Sequence, residues 1–255
     1  MERLSDNSPS GISGNALRTW GLLFLAAGAI GRGLLQTRLL GVGSANTQQL
    51  LAAMDANMGA ATLAIVLQAI EACAMPIFAF LLLEGFQHTS NFKNYLLRVL
   101  GVAVLSEIPY NLAVSAKLLD TATRNPVFGL VLGLVVLYLY DRFPGKTFQN
   151  VLIKVLVTVA ALVWASMLNI EGASCLVVIL ACLWAFRAKP MLRNFAGATG
   201  AIVCSMISPF YMASPMGILV VHMYNGEKGN VNRMVSYLAY PALLLLVAAA
   251  CWLVF

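Results

Sequence analysis

The sequence predicts an all-α, polytopic membrane protein with about nine transmembrane helices and a cytoplasmic N-terminus. Hydrophobic residues make up 60% of the 255 residues and charged residues only 10%, and the mean hydropathy is +0.84. Water could not solvate a surface of this composition. Stretches such as Val151–Leu168 and Tyr237–Phe255 are apolar on every face, which favours helices over the alternating strands of a membrane barrel.

Apolar segments of about the length needed to cross a bilayer recur along the chain, since a bilayer core takes about 20 helical residues to span. We predict a short polar tail at 1–15 and a single transmembrane domain at 16–255. Segments 194–208 and 210–223 are the shortest, and a re-entrant hairpin is the alternative to two crossings there, since Pro209 and Pro215 interrupt them. The nine predicted crossings are 16–36, 62–83, 95–115, 126–141, 151–168, 171–187, 194–208, 210–223 and 236–255.

The basic residues predict how the chain is oriented. Twelve of the 16 Lys and Arg residues fall on the side of the N-terminus, and the other four are Arg32, Arg38, Lys117 and Arg124. Because cytoplasmic loops collect Lys and Arg, this asymmetry places the N-terminus in the cytoplasm and also explains the net charge of +6 without a nucleic-acid partner. The first apolar run, Thr19–Gly31, has no small-residue cleavage site after it and is interpreted as a retained anchor.

The five cysteines and two histidines do not indicate a metal site or a redox motif. All five cysteines fall within apolar stretches without a CxxC pair, and we interpret them as buried or lipid-facing thiols. Two histidines cannot form a three-histidine zinc site, and the nearby carboxylates show no ligand spacing. We therefore predict no metal.

Glu71 is a titratable residue in the middle of the second predicted crossing. It lies one turn after Gln68 and shortly before Pro76, where a kink would free backbone carbonyls. An ionisable group at that depth is either a functional residue or a paired or protonated carboxyl that fastens two helices together. If Arg32 and Glu71 line one cavity with Glu107 and Asn125, a site is indicated.

A second group of polar residues surrounds the next loop. Glu84, His88, Lys93 and Arg98 follow one another closely, and Glu107 lies further along the third crossing. A histidine beside a carboxylate can act as a general base, and an arginine can bind a phosphate or carboxylate through two hydrogen bonds. The alternative is that His88 and Lys93 are solvated loop residues and that Arg98 reaches the lipid headgroups.

Several sequence blocks follow one another in a distinctive order and spacing. They are Met75-Pro76-Ile77-Phe78-Ala79-Phe80-Leu81-Leu82-Leu83-Glu84-Gly85-Phe86-Gln87-His88-Thr89, Tyr95-Leu96-Leu97-Arg98, Ser106-Glu107-Ile108-Pro109-Tyr110-Asn111-Leu112, Asn125-Pro126-Val127-Phe128-Gly129-Leu130-Val131-Leu132-Gly133-Leu134, the turn from Tyr224-Asn225-Gly226 to Gly229, and Tyr240-Pro241. In this order and spacing the blocks resemble the TraX family of bacterial membrane proteins, and the resemblance covers about residues 17–250.

The resemblance implies an N-acetyltransferase in the bacterial inner membrane that draws on acetyl-CoA and acetylates a pilin subunit or another amine. The chain departs from the family at three places. Family members typically have an Asp-His pair in the first helix, where this chain has Ala26-Ala27-Gly28-Ala29-Ile30-Gly31. Glu71-Ala72 stands where the family has Gly-Arg, and Ala242 stands where a histidine usually follows Tyr-Pro.

Acetyl transfer to an amine needs a base for the ammonium proton and donors for the oxyanion. We expect His88, with Glu84 or Glu107, to be the base. Asn125 or Arg98 is the expected stabiliser, and Arg98 or Lys93 the contact for the phosphates of CoA. Glu71 and Asn225 are further candidates for substrate binding.

Two functions from other classes remain open at this point. In the first, the chain is a non-catalytic membrane scaffold, or a subunit of a transport or assembly complex, and Glu71 faces a partner helix or a polar cavity. In the second, it is a proton- or solute-coupled transporter that uses Glu71. The absence of paired broken helices in two matching halves argues against the transporter.

Overall fold

The computed structural model describes residues 11–43, 47–229 and 233–254, and these residues fold into helices joined by short loops. The described part contains no strand, only two isolated backbone bridges, so the all-α fold class is confirmed. Residues 1–10 of the predicted polar tail lie outside the described residues. The helices are α1 Gly14–Ile30, α2 Thr47–Ala52, α3 Met58–Ala72, α4 Ala74–Gln87, α5 Phe92–Val114, α6 Val127–Arg142, α7 Phe148–Met167, α8 Ala173–Ala185, α9 Pro190–Cys204, α10 Ser214–His222 and α11 Arg233–Val254, with a π-helix at Gly31–Leu39 and a 3₁₀ turn at Pro209–Ala213.

Four helical stretches of the described residues are long and apolar enough to cross a membrane. They are Met58–Gln87, which joins α3 and α4, then α5, α7 and Met234–Val254 within α11. Helix α8 is apolar but shorter. The helices therefore fit a membrane protein, while the count of nine crossings and the side of the N-terminus stay predictions.

Several helices begin at a polar residue whose side chain accepts a hydrogen bond from the first turn. Ser13 Oγ accepts from the Ala16 N–H at 3.3 Å, Asn57 Oδ1 from Ala60 at 3.2 Å, and Asn91 Oδ1 from Asn94 at 3.0 Å. Thr147 caps α7 in the same way. These caps satisfy backbone donors that have no partner within the helix, and they fix where α1, α3, α5 and α7 start.

The predicted crossing at 62–83 is two helices, because the chain breaks at Cys73. Pro76 stands in the first turn of α4, and its ring would clash with the carbonyl of Ala72 in a continuous helix. The break at Cys73 removes this clash. It also places Glu71 at the end of α3, beside the first turn of α4.

Segments 194–208 and 210–223 form a helical hairpin of α9 and α10. Helix α10 has 9 residues and is about 14 Å long, far less than the thickness of a bilayer core. Residues 205–213 form the tip. Arg193 near the start of α9 pairs with Glu84, whereas Ser208 and Tyr211 at the tip line a cavity with Glu71. The tip and Arg193 therefore lie at opposite ends of the bundle. Glu171 lines the same cavity as the tip, and we call that end the Glu171 end; His88 contacts Glu84 beside Arg193, and we call the other end the His88 end.

Large apolar side chains cover the outside of the bundle as well as its core. Tyr110, Phe80 and Leu180 are fully buried between helices. Helix α7 packs on α6 and α8 and exposes most of its apolar surface, with Phe148 81% exposed. A bilayer would cover such a surface, which water would not solvate.

Candidate functional site

Two cavities lie between the helices of the described part of the chain. The arginine cavity, at the Glu171 end, has a volume of about 280 Å³ and contains Arg32, Glu71 and Glu171. The histidine cavity has a volume of about 560 Å³ and contains His88 near one end. Met75 lines both cavities. The two spaces are therefore neighbours inside the same bundle.

A buried arginine joins two carboxylates in the arginine cavity. Arg32 Nη2 pairs with Glu71 Oε2, and Arg32 Nη1 lies 3.1 Å from Glu171 Oε1. The side chains of Arg32 and Glu71 are 5% and 6% exposed, and that of Glu171 is 24% exposed. An ion pair removed from water in this way holds its geometry firmly, because separating it would leave buried charge uncompensated.

Local backbone structure places Arg32 against Glu71. Helix α1 widens at Gly31 into the π-helix, and Arg32 is the second residue of that segment. Gly28 lies in the preceding turn, where a Cβ atom would be 1.8 Å from Glu71 Oε2. The carboxylate of Glu71 thus occupies the space beside the first helix. An acid from α3 therefore stands next to the last turn of α1.

Two glutamines extend the polar cluster away from the ion pair. Gln68 Nε2 donates to Gln36 Oε1 at 2.9 Å, and Gln36 Nε2 donates to the carbonyl of Gly43 at 2.8 Å. Gln68 is one turn before Glu71 on α3, and Gln36 is one turn after Arg32 in the π-helix. These bonds fasten α3 to the π-helix along the same face as the ion pair.

Glu171 is a member of this cluster that the sequence did not single out. Two loops pair through backbone hydrogen bonds: the Arg124 N–H donates to the carbonyl of Asn169 at 2.9 Å, and the Glu171 N–H donates to that of Arg124 at 3.0 Å. Gly172 follows with φ +67°, and a Cβ there would be 2.5 Å from Met75 Sδ. The sequence offered one signal for Glu171, an acid in a turn directly before an apolar helix. Its partner Arg32 is 139 residues away, so the pairing could not be inferred from nearness in the sequence.

The histidine cavity combines a charged end with apolar walls. Its charged lining residues include Arg18, Glu84, Arg98 and Lys228, and its apolar walls come from α1, α4, α5 and α6. Met75 lies 13 residues before His88 on α4, which corresponds to about 20 Å along the helix. The cavity therefore runs deep into the bundle from the His88 end.

His88 is held at the end of α4 by its own helix. Its Nδ1 lies 2.9 Å from the carbonyl oxygen of Glu84 and 3.8 Å from Glu84 Oε2. Because a carbonyl can only accept, Nδ1 carries the proton in this hydrogen bond, and Nε2 of the neutral ring has the free lone pair. The side chain of His88 is 76% exposed. The ring can therefore accept a proton at Nε2.

The carboxylate of Glu84 and the phenol of Tyr224 complete this end of the cavity. Arg193 Nη1 lies 3.3 Å from Glu84 Oε1, so that Glu84 stands between an arginine and a histidine. Partial burial, together with the nearby Glu84 carboxylate, raises the pKa of Tyr224. Tyr224 consequently keeps its proton at neutral pH and can donate a hydrogen bond into the cavity.

Glu107 and Asn125 form a pair of their own outside both cavities. Asn125 Nδ2 lies 2.6 Å from Glu107 Oε2, and Asn125 Oδ1 accepts from the Val127 N–H at the start of α6. Arg124 Nη1 lies 3.6 Å from Glu107 Oε1. These contacts join α5 to α6. The structure does not bring Glu107 together with His88.

The remaining predicted residues all lie toward the His88 end of the bundle. Arg98 lines the histidine cavity, and its Nε donates to the carbonyl of Asn94 at 3.0 Å. Lys93 is in the first turn of α5 and is not a lining residue of either cavity. Asn225 stabilises the turn after α10, since its Oδ1 accepts from the Glu227 N–H at 2.9 Å and its N–H donates to Ile12.

We predicted a site if four polar residues of the bundle lined one cavity, and the structure shows only part of this arrangement. Arg32 and Glu71 line one cavity, and Glu171 joins them, but Glu107 and Asn125 are not among its lining residues. His88, Glu84 and Arg98 share the other cavity. The candidate residues therefore form two separate groups.

Comparison with known proteins identifies one family. Residues 50–249 of the chain match the family model described as TraX protein. No curated protein and no solved structure matches the chain. The family match includes every element that lines the histidine cavity except α1.

Proposed function

From the membership of this chain in the TraX family, we propose that it is a membrane-embedded acyltransferase that transfers an acetyl group from acetyl-CoA to an amine. The observation that carries the proposal is the histidine cavity, with cationic residues at one end and apolar walls reaching Met75. We also propose that the membrane is the bacterial inner membrane and that the His88 end faces the cytoplasm, where acetyl-CoA is made. A pilin subunit or another small amine-bearing partner would be the acceptor.

The lining of the histidine cavity suits a CoA thioester. Arg18, Arg98 and Lys228 provide positive charge for the phosphates, and guanidinium groups bind phosphate oxygens through paired hydrogen bonds. Arg18 is held in place, since its Nη1 donates to Ser236 Oγ at 2.7 Å. Leu22, Leu25 and other apolar residues further in would surround the less polar part of the donor.

The reaction needs a proton acceptor close to the amine. The nitrogen of the acceptor attacks the thioester carbonyl carbon, a C–N bond forms, the C–S bond breaks, and the thiolate of CoA leaves and takes up a proton. His88 Nε2 accepts the proton that the amine loses, and Glu84 stabilises the resulting imidazolium from one helical turn away. The phenol of Tyr224, which lines the same end of the cavity, is the candidate donor for the oxyanion, since Asn125 is committed to Glu107 and Val127 and Arg98 is assigned to the phosphates of CoA.

Replacing His88 tests this assignment. Because general base catalysis contributes about 100-fold or more to such reactions, we expect His88→Ala to lower the rate of acetyl transfer by at least about 100-fold. The measurement is transfer of radiolabelled acetyl from acetyl-CoA in membranes that contain equal amounts of each variant. The matched control is His222→Ala, since His222 pairs with Asn194 and lines neither cavity. Full transfer by His88→Ala would overturn the role of His88.

Replacing Arg98 tests the binding of the donor. A hydrogen bond to a charged group contributes about 1.5 to 3 kcal/mol, and we therefore expect Arg98→Ala to raise KM for acetyl-CoA by about tenfold or more. Arg142→Ala is the control, because Arg142 stacks on Tyr138, with its Cζ 4.9 Å from the ring centre, and lies outside the cavity. An unchanged KM in Arg98→Ala would remove Arg98 from the donor site.

The scaffold remains the second candidate function, and the Arg32–Glu71 pair is the observation that favours it. This pair joins the π-helix to α3 and would fasten two helices in a protein without any catalytic role. The same transfer assay separates the two functions. A scaffold would bind no acetyl-CoA and transfer no acetyl group.

A further inference from the structure

The proposed acyl transfer uses the histidine cavity and leaves the arginine cavity without a role. The arginine cavity contains two carboxylates, Glu71 and Glu171, and one guanidinium, Arg32. The two carboxyl groups therefore share one cation, and Glu171, whose side chain is 24% exposed, has no other ion-pair partner among the described residues. A cationic ligand would give Glu171 a partner of its own.

An unpaired polar atom in the same cavity indicates that the ligand also offers an oxygen. Arg32 is 4% exposed and lines the cavity, and its Nε has no hydrogen-bond partner among the described residues. An unsatisfied N–H donor at this depth costs free energy, which an oxygen acceptor on a ligand would recover.

The site is held in shape before any ligand enters. Gly28 gives the Glu71 carboxylate room beside α1, and the backbone pairing of Arg124 with Asn169 and Glu171 fixes the loop that carries the second acid. The cavity opens at this loop, since Ala122 and Asn169 on its rim are exposed. A ligand can therefore enter from the Glu171 end without passing through the histidine cavity.

A ligand that satisfies both requirements has a primary ammonium group and an oxygen close to it. Ammonium N–H groups would donate to Glu171, which pairs with Arg32 through its Oε1, and the oxygen would accept from Arg32 Nε. A bare metal ion would leave Nε without an acceptor and would sit beside a guanidinium of like charge. The volume of about 280 Å³ limits the bound group to a small molecule or a headgroup.

We propose that the arginine cavity is a binding site for a small amine in which two adjacent carbons carry a primary ammonium group and an oxygen, as in ethanolamine. Two sources carry this chemistry: a free amino alcohol, and the headgroup of an ethanolamine phospholipid, whose phosphate oxygen would reach Arg32. The site does not depend on acyl transfer. It would bind its ligand equally in an enzyme and in a scaffold.

Calorimetric titration of the purified protein in phosphatidylcholine nanodiscs tests the proposal. We expect saturable binding of ethanolamine, and at least about tenfold weaker binding of ethylene glycol, which lacks the charge, and of choline, which lacks the N–H donors. Glu171→Gln should weaken ethanolamine binding by a similar factor. Glu227→Gln is the control, because Glu227 is an exposed loop residue that lines neither cavity.

A second arm separates the two sources of the ligand. If the lipid headgroup occupies the site, nanodiscs with phosphatidylethanolamine should weaken the apparent affinity for free ethanolamine and raise the Tm of the wild type but not of Glu171→Gln. If the ligand is a free amine, the two kinds of nanodisc should give the same affinity. The proposal is overturned if ethanolamine does not bind and no lipid-dependent shift in Tm appears, or if binding persists in a folded Glu171→Gln variant.

Discussion

Arg32→Met is expected to destabilise the purified protein by about 3 to 5 kcal/mol, which is the usual cost of removing one partner from a buried ion pair. The methionine would fill much of the volume of the arginine side chain, so the main effect is electrostatic. Glu71 would be left as a carboxylate that is 6% exposed with no cation beside it, and Glu171 would lose the same partner. The measurement is reversible unfolding by denaturant in detergent micelles, compared through the midpoint and slope of the transition.

Two further variants identify the cause of this loss. Arg142→Met removes an arginine that stacks on Tyr138, and at an exposed site it should change the stability by no more than about 0.5 kcal/mol. In the double variant Arg32→Met with Glu71→Gln, the uncompensated charge on α3 is gone, and we expect part of the lost stability to return. If Arg32→Met were as stable as the wild type, the buried ion pair would not hold this end of the bundle.

Gly28→Ala is expected to destabilise the protein by about 1 to 3 kcal/mol, the usual cost of forcing an extra methyl group into a packed interior. The added Cβ would stand 1.8 Å from Glu71 Oε2 and 2.6 Å from Glu71 Cβ. Either α1 must move away from α3 or the carboxylate must leave Arg32. Unfolding by denaturant gives the size of the effect, and ethanolamine binding reports whether the cavity has changed.

Gly101→Ala is the matched control for this substitution. Both glycines lie inside apolar helices, but a Cβ at Gly101 would have no atom within 4 Å. Alanine has the higher helix propensity, so Gly101→Ala should be neutral or stabilising by up to about 1 kcal/mol. Equal effects of the two substitutions would mean that the space beside Gly28 is not reserved for Glu71.

The helices that depend on local sequence could be predicted well. Long apolar stretches gave α5, α7 and α11 nearly at their observed bounds, because a segment that is apolar throughout has no alternative to a helix in a bilayer. The break at Cys73 and the π-helix at Gly31–Leu39 could not be predicted as such. Pro76 indicated a kink, but how the chain relieves the clash depends on what packs against it.

The candidate site was predictable to the extent that it depends on the cost of buried charge. Because a charge at membrane depth is costly, Glu71 stood out in the sequence, and Arg32 was the residue expected to share a cavity with it. In the structure the two side chains form an ion pair. Glu171 was missed because its role depends on a loop pairing between 124 and 169–171, which brings it to Arg32 across 139 residues. Glu107 was grouped with His88 by its nearness in sequence, but it faces Asn125 and Arg124.

Transfer of labelled acetyl from acetyl-CoA to protein or small amines is the measurement that tests the proposed function most directly. The purified chain is reconstituted in lipid vesicles, mixed with an amine-containing membrane extract, and compared with Arg98→Ala and with empty vesicles. The acyltransferase proposal predicts label on amines only in the presence of the chain, with slower transfer by Arg98→Ala at low acetyl-CoA. Absence of transfer, together with absence of acetyl-CoA binding to the purified wild type, would contradict it.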